Sequence, residues 1–305
     1  MIGSSLLLAN DAVAVDVPPA AKVKILIVDG FSNHDWQQTT KLIKEVLDGT
    51  GLFDISVSTA PPTADAPGWD QWRPKFQNYD VVIQTCNDIK QGPSWPAEVQ
   101  TAFVKFVQDG GGVYIFHSAQ NAFAHWPAYN DIIALGWRGK DYGTALAISP
   151  SEEIVRIPPG EGTGTGHAPR GEVQVHLLGT HPIHEGMPRE WKTPGLEVYH
   201  HARGPAQNVE VISYGRDPQG GENWPIEWTV TYGKGRVYIA TFGHVWKGDF
   251  EPESMRCAGV QTCMVRALQW LAQRPVTYPV PKDFPTADSL SIRPPLSPPT
   301  GEVIP

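Results

Sequence analysis

The side chains richest in chemistry in this 305-residue chain are imidazoles and indoles, with ten histidines and eleven tryptophans. Three of the histidines stand just past apolar runs that read as strands. His34 lies in Asp29-Gly30-Phe31-Ser32-Asn33-His34-Asp35-Trp36 after residues 23–28. His117 opens His117-Ser118-Ala119-Gln120-Asn121 after residues 113–116, and His244 lies in Gly243-His244-Val245-Trp246 after residues 238–242. Imidazole is the common metal ligand and the common general base near neutral pH. Any one such histidine reads first as a hydrogen-bonded loop or core residue. Three at equivalent positions read as a site.

Two further segments concentrate polar chemistry: Thr180-His181-Pro182-Ile183-His184-Glu185-Gly186 and Leu196-Glu197-Val198-Tyr199-His200-His201. Pro182 argues against a helix presenting both His181 and His184. In an extended strand Glu197, Tyr199 and His201 share a face and His200 points away, although a bulge or turn would change that parity. Glu197 is the expected base or acid. Asp35, Trp36, Gln120, Tyr199, His200 and Trp246 are the expected substrate contacts, and Trp126 joins Trp36 and Trp246 as a flat face for a sugar. His125 and His167 lie in polar, Gly/Pro-rich surroundings and read as structural.

Several other chemistries are ranked down. The chain has no GxSxG elbow, P-loop GKS/T or HExxH. The glycine-rich residues 160–166 resemble a phosphate loop in composition only and read as surface loop. Cys86, just past the third strand, is a conceivable nucleophile, but a thiol there is more often packing. Cys257 and Cys263 are six apart on the last helix and not on one face.

The elements that position these residues follow from periodicity. Residues 23–28, 79–85 and 113–116 are continuous apolar runs, as expected of strands covered on both faces, and residues 54–58 make a further strand. Helical patterns separate them, with Trp36, Ile43, Val46 and Leu47 stopping at Gly49, and Val99, Phe103, Phe106 and Val107 stopping at Gly110-Gly111-Gly112. Strands alternating with helices imply βαβ units and a parallel sheet, whose ligands sit outside the carboxyl ends of the strands. Beyond Gly136 short strands are expected at 152–157, 173–177, 209–214, 227–232 and 236–242, with a hairpin at Tyr232-Gly233-Lys234-Gly235-Arg236 and a closing helix over 255–271. The expected fold is one α/β domain with an antiparallel extension.

Composition sets outer bounds. There are 24 basic and 32 acidic side chains, giving a formal charge of −8, with no basic cluster to bind nucleic acid. Three cysteines exclude a disulfide scaffold, and no apolar run reaches the roughly 20 residues of a membrane span. Residues 1–21 read as a leader: Ala12-Val13-Ala14 matches a signal-peptidase site, although no Lys or Arg precedes it. A periplasmic or secreted location is expected, with a cytoplasmic one as the alternative. Residues 277–305 form a Pro-rich tail expected to run extended over the surface, which leaves residues 22–276 as the domain.

Taken in order, Asn33-His34-Asp35-Trp36, Phe116-His117-Ser118-Ala119, His181-Pro182-Ile183, Glu197-Val198-Tyr199, Tyr232-Gly233-Lys234-Gly235-Arg236-Val237 and Gly243-His244 resemble the ThuA-like (trehalose utilisation) family, as does the closing helix with Ala267-Leu268-Gln269-Trp270. The resemblance spans roughly residues 22–285. It implies a flavodoxin-like, class I glutamine amidotransferase-like fold, with helices on both faces of the parallel sheet. His117-Ser118-Ala119 stands where the amidotransferases carry a cysteine elbow, which argues against glutamine hydrolysis. The resemblance also implies disaccharide catabolism through 3-keto sugars, in exported bacterial systems, and reaches His34, His117, Glu197, Tyr199 and His244. Leu196 departs from the acidic residue more usual before Glu-Leu-Tyr, and Glu227 stands where apolar residues are more usual.

The expected function is a carbohydrate-active enzyme, a hydrolase or lyase cleaving a 3-keto-glycoside or related sugar. A C3 carbonyl acidifies the C2 hydrogen, so a base removes it and the C1 substituent departs. His34, His117 and His244 are the candidate ligands of a divalent ion such as Zn²⁺ or Mn²⁺, and no nucleotide cofactor is expected. The alternatives are a non-catalytic sugar-binding or accessory protein and an amidase using Cys86. Whether copies of the chain assemble with one another is left open.

Overall fold

Residues 23–28 are apolar at nearly every position because the strand they form is covered on both sides. The computed structural model describes residues 21–88 and 94–295; the leader reading of the first twenty residues and the last ten of the tail lie outside them. The elements are β1 (Val23–Asp29), α1 (Trp36–Asp48), β2 (Phe53–Thr59), β3 (Val81–Gln84), α2 (Ala97–Gln108), β4 (Gly112–Phe116), α3 (Pro127–Ile133), β5 (Thr144–Ile148) and β6 (Ile154–Ile157). There follow β7 (Gly166–His167), β8 (Gly171–Leu177), β9 (Glu190–Leu196), β10 (Tyr199–His200), β11 (Arg203–Gly204), β12 (Val209–Arg216), β13 (Asn223–Tyr232), β14 (Gly235–Ala240), α4 (Glu253–Arg256) and α5 (Ala258–Leu271).

The fold is mixed α/β, built on one large sheet of order β2-β1-β3-β4-β14-β13-β12-β8-β9. Its first five strands run parallel. The chain then makes an antiparallel excursion through β8, β9, β12 and β13. It returns through the β13–β14 hairpin, where Gly233 takes a positive φ of 62°. Alternation along the parallel strands sends Ile25, Ile27, Val81 and Ile83 into one core with Ile43 and Leu47 of α1 and Leu268 of α5. Leu26, Val28, Val82 and Ile115 go into a second core with Phe103 of α2 and Ile133 of α3.

Some elements escape periodicity. The β9 run Glu190-Trp191-Lys192-Thr193-Pro194-Gly195-Leu196 reads locally as a turn, yet it forms the sheet edge, where proline is tolerated. The closing helix breaks at Cys257, whose ψ of 123° is extended. The described part of the tail holds no helix, turns at Pro281–Phe284 and Thr286–Ser289, and lies back on the domain: Ala258 N–H donates to Ser291 O, Arg293 N–H to Arg256 O, and Phe284 packs on Trp191 at 5.4 Å. Among the described residues no helix is long and apolar enough to cross a membrane.

Candidate functional site

Three strand ends build the site. The loop after β1 turns at Gly30, whose φ is +130° and where a Cβ would stand 2.0 Å from Ala60 O, so only glycine fits. The loop then reaches α1, and Asp35 caps that helix by accepting from Gln38 N–H at 3.0 Å. Asp35 N–H donates to Val245 O at 3.2 Å, which ties this loop to the one after β14. At the end of β4, His117 takes a φ of +43°, a strained value for a residue with a side chain, and opens a 3-10 turn over His117–Asn121. Arg138 pins that turn by donating to the carbonyls of Asn121 and Ala122. After β14, Gly243 lies against the Phe116 ring at φ +88° and delivers His244. Because β14 pairs in parallel with β4, Ala240 opposite Phe116, the last two loops are neighbours.

His34, His117 and His244 meet there. Their ring centroids are 4.8–5.1 Å apart, and one nitrogen from each lies within 4.8 Å of the others. All three are buried. Glu197 Oε1 lies 3.4 Å from His244 Nε2. His34, His244 and Glu197 line a pocket of about 420 Å³ together with Asn33, Asn121, Tyr199, His167 and Arg170, walled by Trp137 and Trp246, and His117 lines the small crevice beside it.

Hydrogen bonds assign the tautomers. His117 Nδ1–H donates to Thr241 O at 2.7 Å, and its Nε2 is buried without a partner. His34 Nδ1–H donates at 2.9 Å to Asn33 Oδ1, which also accepts from Asn87 Nδ2. Both rings therefore present a bare Nε2 lone pair, backed by the kind of outer partner that orients metal-binding imidazoles. His244 is wired in the opposite sense: its Nδ1 accepts from Arg170 Nη1 at 2.8 Å, so Nε2 carries the proton and faces Glu197. The donor set fits a divalent cation through His34 and His117, and His244 joins it only if Arg170 lets go.

Electrostatics agree with neutral rings. Burial, helped by the His244, Arg170 and His167 charges, lowers the pKa of His34 to about 3. Burial and Arg170 lower that of His244 to about 4. His117 is driven well below the ordinary value, chiefly by burial and then by His34 and His244. Burial raises the Glu197 carboxyl, against the pull of His167 and Arg170. Cys86 is fully buried and its thiol is pushed up by that burial, so no accessible thiolate stands at the third strand end.

The remaining residues singled out in the sequence are placed as follows. Tyr199 and Trp246 line the pocket. Trp36 lines a small crevice beside His34 and His117. Gln120 is wholly buried, with both amide atoms unpartnered, and Trp126 packs in the second core. His200 does not line the pocket. His201, at φ +51°, breaks the strand alternation, and the His200 and His201 rings meet at 5.5 Å, with His201 4.4 Å from Trp224. Sequence reasoning passed over Asn33, Asn121, Trp137 and Arg170, and read His167, which lines the pocket, as structural. The two asparagines sit in loops already flagged by His34 and His117. Trp137, His167 and Arg170 come from the irregular extension, where no period marks them.

Among curated proteins none matches this chain. Its structure is similar to that of a ThuA-like protein from Parabacteroides merdae, 31% identical, with a TM-score of 0.82 over 90% of this chain and 98% of that one. The β-galactosidase of Bacillus circulans is a distant likeness only: 12% identical, TM-score 0.42, over 83% of this chain and 32% of that one. The family profile described as ThuA, trehalose utilisation, matches residues 24–271, and the chain belongs to that family.

Proposed function

We propose that this protein is a carbohydrate-active enzyme that cleaves a 3-keto-glycoside or a related sugar in the pocket between Trp137 and Trp246. The observation that carries the reading is the meeting of His34, His117 and His244 beside Glu197 at the carboxyl ends of the strands. The family's link to trehalose utilisation and the two indole walls support a sugar. A volume of about 420 Å³ suits a small glycoside.

Glu197 takes the C2 proton made acidic by the C3 carbonyl. Its raised pKa makes it a stronger base than an exposed carboxylate. The C2–H electron pair forms the C1–C2 double bond, the C1–O bond breaks, and the leaving oxygen takes a proton. His244 Nε2–H, in reach of Glu197, supports the carboxylate and relays that proton. Tyr199, whose hydroxyl burial keeps protonated, donates to a substrate oxygen. Bound at the Nε2 atoms of His34 and His117, a divalent cation such as Zn²⁺ or Mn²⁺ would polarise the C3 carbonyl as a Lewis acid. Addition of water across the double bond completes hydrolysis; without it the enzyme is a lyase.

We read the parallel half of the sheet as a flavodoxin-like, glutamine amidotransferase-like core with helices on both faces, residues 22–276 as the domain, and the protein as periplasmic or secreted. Metal analysis of untagged protein, with product detection from a 3-keto-glycoside, tests the function. Release of the aglycone, abolished in Glu197→Gln, is expected. Saturable binding without product would return the protein to a sugar-binding role.

A further inference from the structure

A second set of ligating side chains lies in the core beside α5. His184, ending the short turn Pro182–His184, Glu227 of β13 and Cys263 of α5 bring a ring nitrogen, a carboxylate oxygen and Sγ within 4.8 Å of one another. All three are buried, and none lines the sugar pocket. His184 Nε2 is 3.1 Å from Glu227 Oε2. Ser213 Oγ donates to the same carboxylate at 2.5 Å, and so does the Tyr238 hydroxyl.

Among the described residues the only ion-pair partner of Glu227 is His184, whose Nδ1 is buried without an acceptor.

We propose that His184, Glu227 and Cys263 form a buried three-ligand site for Zn²⁺ or a divalent ion of similar softness. A thiolate, a carboxylate and a neutral imidazole together balance a dication. Cys263 releases its thiol proton to solvent, and the His184 ring proton moves to the nitrogen that does not ligate. Bonds of about 2.0 Å to N and O and about 2.3 Å to S put ligand atoms roughly 3–4 Å apart around one ion, so the side chains need only a small contraction. Ser213 and Tyr238 orient the carboxylate from behind. Arg266, one turn after Cys263, donates to the carbonyls of Pro182, Ile183 and Glu185 and fixes the His184 turn against the helix. A groove of about 550 Å³, lined by His181 and His184, gives the ion its way in.

The test is Co²⁺ titration of chelator-stripped protein. A thiolate-to-cobalt charge-transfer band in the near ultraviolet is expected, saturating at one equivalent and displaced by Zn²⁺. The sugar-pocket histidines contain no sulfur and cannot produce it, so the result is independent of the proposed activity. The band should vanish in Cys263→Ser, weaken at least tenfold in affinity in Glu227→Gln, and persist in Cys86→Ala and Cys257→Ala. If Cys263→Ser does not fold, persistence in the other two variants still assigns the thiolate. No band in folded wild-type protein at saturating Co²⁺, or a band that follows Cys86 or Cys257, overturns the proposal.

Discussion

Arg170 Nη1 donates to His244 Nδ1 across 2.8 Å, and this one bond sets the direction of proton traffic at the site. A guanidinium cannot accept, so the neutral ring must hold its proton on Nε2, facing Glu197. Arg170→Met keeps much of the stem and removes the donor. Its charge is the largest contribution after burial to the depressed His244 pKa, so that pKa should climb toward 6.5. Nitrogen NMR should show a mixture of tautomers, and turnover should fall roughly 10–100-fold, as for loss of a charge-assisted hydrogen bond. A single unchanged tautomer would contradict this.

The three histidines should fail as a unit. Replacing any one of His34, His117 or His244 with Ala is expected to remove most turnover, and double variants should lose little more. Stability should separate them. His117→Ala loses the bond to Thr241 O in a fully packed position and should cost roughly 1–3 kcal/mol. Turnover and denaturant midpoints measured side by side decide it.

Acid should unfold the chelator-treated protein early. His34 and His244 have folded-state pKa values of about 3 and about 4, below the ordinary 6.5. The unfolded chain therefore takes up protons first, and their stabilisation is complete above pH 6.5 and lost as pH falls toward 4. Each ring is worth roughly 1–3 kcal/mol by pH 4.5. Glu197, with its raised pKa, works the other way and offsets part of the loss. Urea melts at pH 7, 5.5 and 4.5 should show the decline, with a shallower slope in His34→Gln. Equal slopes would refute it.

Gly30→Ala should destabilise by roughly 3 kcal/mol or more, since the added Cβ meets Ala60 O at 2.0 Å and φ is +130°. Gly51→Ala is the control: its φ is positive but nothing lies within 4 Å of the added carbon, so the loss should be smaller. Equilibrium unfolding of both variants checks the difference.

Read alone, the sequence determined which strand ends carry imidazoles. Residues 23–28 and 113–116 are apolar on both faces, and Gly30 and the Gly110-Gly111-Gly112 run mark where the chain must turn; these are local constraints that periodicity and glycine placement encode. Only the tertiary structure decided that β14 returns from the antiparallel excursion to lie beside β4, which brings His244 to His117. It also decided that Trp137, His167 and Arg170 fold back over the same pocket, and that Gln120 and Trp126 turn inward. Strand order and the sign of φ at His117 and His201 depend on packing between residues distant in sequence, so no local pattern records them. The tautomers are of the same kind: Thr241 O, Asn33 Oδ1 and Arg170 choose which nitrogen of each ring is bare, and they do so only once the loops have met.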